Sequence, residues 1–112
     1  MGESFSADRD GPAVREPKRR DRYIAFEFPD PRRGREVAAA IHAAVGSWPA
    51  SERPRLVFVE GRRGLVRCGH LQKDEVLRLV NALRVGDPPF EVRSVGTSGT
   101  IRAARSRYFS NP

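Results

Sequence analysis

Cysteine is almost missing from this 112-residue chain, with Cys68 standing alone. A single thiol closes no disulfide within the chain and builds no cysteine-based metal site. Histidine is equally sparse: His42 and His70 lie far apart and show no ligand spacing to each other. No apolar run approaches the ~20 residues needed to cross a bilayer, and no signal-type apolar stretch follows Met1. Met1-Gly2-Glu3-Ser4-Phe5-Ser6 formally fits a myristoylation pattern, but a pattern this short recurs by chance. These absences predict a reducing, cytoplasmic setting with no membrane contact. Lysine is scarce too, at two residues against nineteen arginines, and no Asp or Glu follows Glu91.

What is present is positive charge. The net charge is +7 and the pI about 10.9. Arginine makes planar, bidentate contacts to phosphate and stacks on bases. A polyanionic partner is therefore expected, RNA or DNA before an anionic membrane. A 38% hydrophobic content and a mean hydropathy of -0.57 fit one domain with a polar surface and a modest core.

Residues 1–21 read as a flexible charged arm without apolar periodicity, ending in the basic cluster Lys18-Arg19-Arg20-Asp21-Arg22. Residues 22–112 read as a single domain. Tyr23-Ile24-Ala25-Phe26-Glu27-Phe28 alternates like a strand, with Ile24, Phe26 and Phe28 on one face. Tyr23 points to the other face, so only one of Tyr23 and Phe26 is expected in the core. Asp30-Pro31 opens a helix as cap and first residue, and Val37, Ile41, Ala44 or Val45 and Trp48 fall on one side of it. Arg32, Arg33 and Arg35 in its first turn oppose the helix dipole unless Asp30 offsets them. Leu56–Glu60 and Leu65–Cys68 form a hairpin around the turn Gly61-Arg62-Arg63-Gly64. A second helix is expected from about Leu71 to Arg84, with Val76, Leu79, Val80 and Leu83 as its stripe, and a fourth strand over Phe90–Val95. The order β-α-β-β-α-β predicts an α+β fold. Its class is the ferredoxin-like or RRM-like split βαβ sandwich: a four-stranded antiparallel sheet, two helices on one face, a basic N-terminal arm and a C-terminal helical extension.

Catalytic sets are lacking. No Ser/His/Asp constellation is visible, Asp74 and Glu75 point in different directions on a helix, and Cys68 in an apolar strand reads as an inert thiol. Binding features are richer. The turn Ser98-Gly99-Thr100 leads into Arg102 and Arg105, which suits an anion. Arg19, Arg20 and Arg22 border the first strand, and the Arg62-Arg63 turn forms a further patch. Arg67 shares a face with Leu65, away from Val66 and Cys68, and is expected on the open face of the sheet. These eleven residues form the candidate RNA-binding set. A base-stacking platform is disfavoured, because Arg63-Gly64-Leu65-Val66-Arg67-Cys68 carries no aromatic side chain.

Three segments in this order carry a family resemblance: Arg22-Tyr23-Ile24-Ala25-Phe26-Glu27, Val66-Arg67-Cys68 and Val95-Gly96-Thr97-Ser98-Gly99-Thr100-Ile101-Arg102. The chain resembles the archaeal ribonuclease P protein component 2 family, which has a eukaryotic counterpart shared with ribonuclease MRP. Where that family often has Pro-Thr-Leu-Arg, this chain has Pro12-Ala13-Val14-Arg15. The resemblance implies a subunit of the ribonucleoprotein that removes the 5′ leader of precursor tRNA. It further implies that the RNA subunit holds the catalytic Mg²⁺, that this chain binds no cofactor itself, and that it touches precursor tRNA only indirectly. The implied partners are the ribonuclease P RNA and the TIM-barrel-like protein component 3, with self-association of component 2 completing a heterotetramer. Two other readings stay open: a general binder of structured RNA with the same fold, and a small-molecule regulatory domain that binds an anion.

Overall fold

Residues 20–109 are described by the computed structural model; Arg19 and nearly all of the expected arm lie outside them. The alternation of the first strand yields β1, Asp21–Glu27. Asp30 accepts a hydrogen bond from the Arg32 backbone N–H at 2.9 Å and starts a 3₁₀ turn, Pro31–Arg33, that continues into α1, Gly34–Val45. The cationic first turn is compensated locally. Arg32 Nε donates to Asp30 at 3.2 Å, and Arg33 pairs with Glu36. β2 is Arg55–Glu60 and β3 is Arg63–Gly69. The reversal between them is the two residues Gly61-Arg62, with Gly61 at φ 59°, so Arg63 belongs to the strand and pairs with Glu60.

The second helix and the fourth strand depart from expectation. A 3₁₀ turn, His70–Gln72, precedes α2, Lys73–Ala82. Leu83 is already extended, and Arg84–Val85 (β4) pairs with Phe90–Glu91 (β5) in a small ribbon. Gly86 at φ 88° and the prolines that follow force this tight reversal. The fourth strand of the main sheet is therefore β6, Arg93–Ser98, and not Phe90–Val95. Val92, fully buried, marks the crossing between the two sheets. Asn81 ties β6 to α2: its Oδ1 accepts from Ser94 N–H at 2.9 Å and its Nδ2 donates to Leu77 O at 2.9 Å.

The result is an α+β protein whose main sheet runs β2-β3-β1-β6, each neighbouring pair antiparallel. One face carries Ile24, Phe26, Phe28, Val66 and Cys68 against Val37, Ile41, Val76 and Val80 of the helices. On the other face Tyr23, Ala25 and Leu65 are covered by a C-terminal segment. That segment is α3, Ile101–Ala104, followed by a single π turn, Arg105–Phe109. Arg63 Nη1 donates to Tyr108 O at 2.6 Å, the Tyr108 hydroxyl donates to Thr97 O at 3.3 Å, and Phe109 meets Phe58 edge-on at 4.9 Å. The expectation that Tyr23 and Phe26 could not both be core residues is thus corrected. Tyr23 is 8% exposed and Phe26 0%, because the fold has a second apolar layer built by the chain's own end.

Candidate nucleic-acid interface

The strand register decides which arginines meet. Tyr23 lies opposite Arg67 on one side and Ser98 on the other, and Arg67 lies opposite Arg55. One rung of the sheet therefore reads Arg55, Arg67, Tyr23, Ser98. At the same end Arg20 precedes β1, with its carbonyl accepting from His70 N–H at 2.8 Å. Arg22 reaches the Ser98-Gly99-Thr100 turn, where its Nη1 would sit 3.6 Å from a side chain placed on Gly99. Arg102 follows on the exposed side of α3. Seven of the candidate residues, Arg20, Arg22, Arg67, Ser98, Gly99, Thr100 and Arg102, thus gather at one end.

The remaining candidates lie elsewhere. Arg62 and Arg63 sit at the opposite end, roughly 20 Å away along a strand of this length. Arg63 is held by Tyr108 O and by Glu27, at 3.5 Å. Arg105 lies over the Phe58 ring at 4.3 Å and pairs with Glu60 at 3.4 Å. Both hydroxyls of the turn are engaged by nearby backbone groups, with Ser98 buried and Thr100 exposed. Ser98 Oγ donates to Thr100 O at 3.1 Å, and Thr100 Oγ1 accepts from Ala103 N–H at 3.0 Å as the cap of α3. The Ser-Gly-Thr turn therefore shapes the backbone, and the guanidinium groups around it supply the outward donors.

Two arginines that the sequence reading passes over join this end. Arg53 Nη2 donates to Gly46 O at 3.2 Å and Trp48 O at 2.8 Å, tying down the chain just past α1. Arg55 is exposed and stands directly across from Arg67. Both line an open cavity of about 530 Å³, together with Arg20, Arg67 and His70, against the carboxylates of Asp21 and Glu52. The signal for Arg55 existed in the strand alternation, but linking it to Arg67 requires the register.

Among the described residues nothing at this end resembles an acid–base or nucleophilic pair. Burial, then Asp21, push the Cys68 thiol up to about 11, far from a reactive thiolate. At the far end, a hydrogen bond from Arg93 holds the Glu27 carboxyl below its ordinary range, with partial desolvation opposing and Arg63 assisting. Among the described residues no group of three or more His, Cys, Asp and Glu side chains is placed to hold a metal ion. No described helix is long and apolar enough to cross a membrane. What the arrangement can do chemically is attract an extended anion through fixed guanidinium donors.

No family model matches the chain. Among curated proteins it is similar to the ribonuclease P protein component 2 of Methanoculleus marisnigri, at 42% identity over 55 residues. The matched stretch covers 48% of this chain and 34% of that protein, so the chain spans about a third of its relative's length. This likeness supports the resemblance drawn from the sequence.

Proposed function

We propose that this protein is a ribonuclease P subunit, which binds and supports the catalytic RNA that removes the 5′ leader from precursor tRNA. The 42% identity to a ribonuclease P protein component 2 carries the reading. The α+β fold agrees with it, taken as the split βαβ sandwich of that family, as does the gathering of arginines at one end of the sheet. In this reading the protein performs no bond cleavage. Its guanidinium groups neutralise phosphates, so that RNA helices approach each other and Mg²⁺ held by the RNA stays bound at low bulk concentration. Protein component 3 is the partner subunit, a second copy of this chain completes a heterotetramer, precursor tRNA is contacted indirectly, and the cytoplasm is the setting.

The test is binding to labelled ribonuclease P RNA against an unrelated structured RNA of equal length, followed across salt concentration. Preference for the ribonuclease P RNA, with affinity falling steeply as salt rises, is the expected result. Equal affinity for both RNAs points to a general structured-RNA binder, and no RNA binding contradicts the proposal.

A further inference from the structure

The cavity at the arginine-rich end lies between two connections, the one from α1 to β2 and the one from β3 to α2. We infer that it is a channel for the RNA backbone, seating one nucleotide with its phosphate between Arg55 and Arg67. The inference rests on the ribonuclease P reading and names the surface that serves it.

The cross-strand pair at this end is unfavourable without a ligand. Arg55 and Arg67 are direct partners in an antiparallel ladder, where like charges cost stability. Relief is slight. Asp21 Oδ2 stands 3.9 Å from Arg67 Nε, and among the described residues Arg55 has no ion pair. A phosphate between the two guanidiniums converts this repulsion into two charge-assisted contacts.

The site is also partly pre-organised. Arg53 is held in place by the carbonyls of Gly46 and Trp48, so its charge is positioned before any ligand arrives. The backbone bond from His70 to Arg20 joins β1 to the start of the α2 connection and shapes one wall. The cavity wall favours a nucleotide over a bare anion. Leu71, 81% exposed, lies on the cavity wall beside these charges. An apolar side chain next to arginines suits a ribose or base attached to the phosphate. The volume, about 530 Å³, falls in the range of roughly 300–1,000 Å³ that holds ligands of nucleotide size.

The test compares wild type, the Arg55→Gln/Arg67→Gln double variant and Arg78→Gln, which removes an exposed charge on α2 outside the cavity. Each full chain is titrated onto fluorescently labelled ribonuclease P RNA at several salt concentrations, and its thermal midpoint is recorded. The double variant is expected to bind about tenfold or more weakly. Its log-affinity against log-salt slope should become shallower by roughly one, since one phosphate contact is lost. Its thermal midpoint at low salt should hold or rise, because the Arg–Arg repulsion is gone. A side chain that merely supports the fold would lower that midpoint instead. Should the double variant unfold, Arg55→Gln alone, at an exposed position, carries the same comparison with about half the slope change. Unchanged affinity and slope in the variants lacking Arg55 overturn the channel and leave the ribonuclease P reading standing. Wild type that fails to bind the RNA overturns both. Adenosine monophosphate displacing the RNA at comparable concentration makes the cavity a mononucleotide site and likewise overturns the channel.

Discussion

Cys68 shows how a single residue's surroundings remove its chemistry. It is 4% exposed on the helix side of β3, and burial raises its thiol to about 11. At neutral pH the native protein should therefore resist a thiol reagent such as dithionitrobenzoate, and it should react fully once unfolded in guanidinium. Rapid labelling of the folded chain would contradict the burial of this strand. Gly64 is constrained by contact. It pairs with Phe26, and a Cβ there would come within 2.3 Å of the Phe26 ring. Gly64→Ala is expected to cost about 1–3 kcal/mol through overpacking, read as a lower urea midpoint with unchanged slope. Glu27 links stability to pH. Its folded-state pKa lies below the ordinary 4.5, chiefly because of the Arg93 hydrogen bond, so its contribution is complete above pH 4.5 and fades as pH falls through the lower folded value. Arg93→Gln should flatten the fall in thermal midpoint between about pH 5 and about pH 3, and an unchanged acid limb would remove this pair from the account. Since Glu27 is one-third exposed, solvent screening keeps the effect small.

At the scale of elements, the C-terminal segment matters most for what the sheet can bind. It covers Tyr23, Ala25 and Leu65, so this face offers no stacking platform for bases. Tyr108 is central to the cover, through its contacts with Arg63 and Thr97 and its ring lying over Gly96. Tyr108→Ala should lower stability by roughly 1–2 kcal/mol, given its partial burial, and increase binding of an apolar dye. RNA affinity should stay close to wild type, because the contacts of Tyr108 run to Arg63, Thr97 and Gly96 rather than to Arg55 or Arg67. A large loss of RNA affinity would instead place the RNA on the covered face. The order of elements was legible because the strand alternation and helix stripes are strong. What covers each face was not legible: periodicity tells that Tyr23 points opposite Phe26, but not that residues 101–109 return to bury it. The break between Phe90–Glu91 and Arg93–Ser98 was hidden for a similar reason. The apolar pattern runs through both, and only the reversal at Gly86 and Pro88-Pro89 pulls the first two residues into a separate ribbon.

Across the whole molecule, a net charge of +7 favours a polyanionic partner, while the placement of that charge depends on register. Arg22, Arg67 and Ser98 are scattered along the sequence, yet antiparallel pairing brings them to one end of the sheet. Arg55 joins them by the same route and escaped notice because its partner is twelve residues on. Arg105 looked available in an acid-free tail, but Glu60, 45 residues upstream, pairs with it. The role proposed for this molecule is to support a catalytic RNA. Its most direct test is cleavage of precursor tRNA by ribonuclease P RNA at limiting Mg²⁺. The RNA would be assayed alone, with protein component 3, and with component 3 plus this protein. Leader removal that appears, or rises sharply, only when this protein is added is the predicted result. Equal cleavage with and without the folded protein would contradict the account.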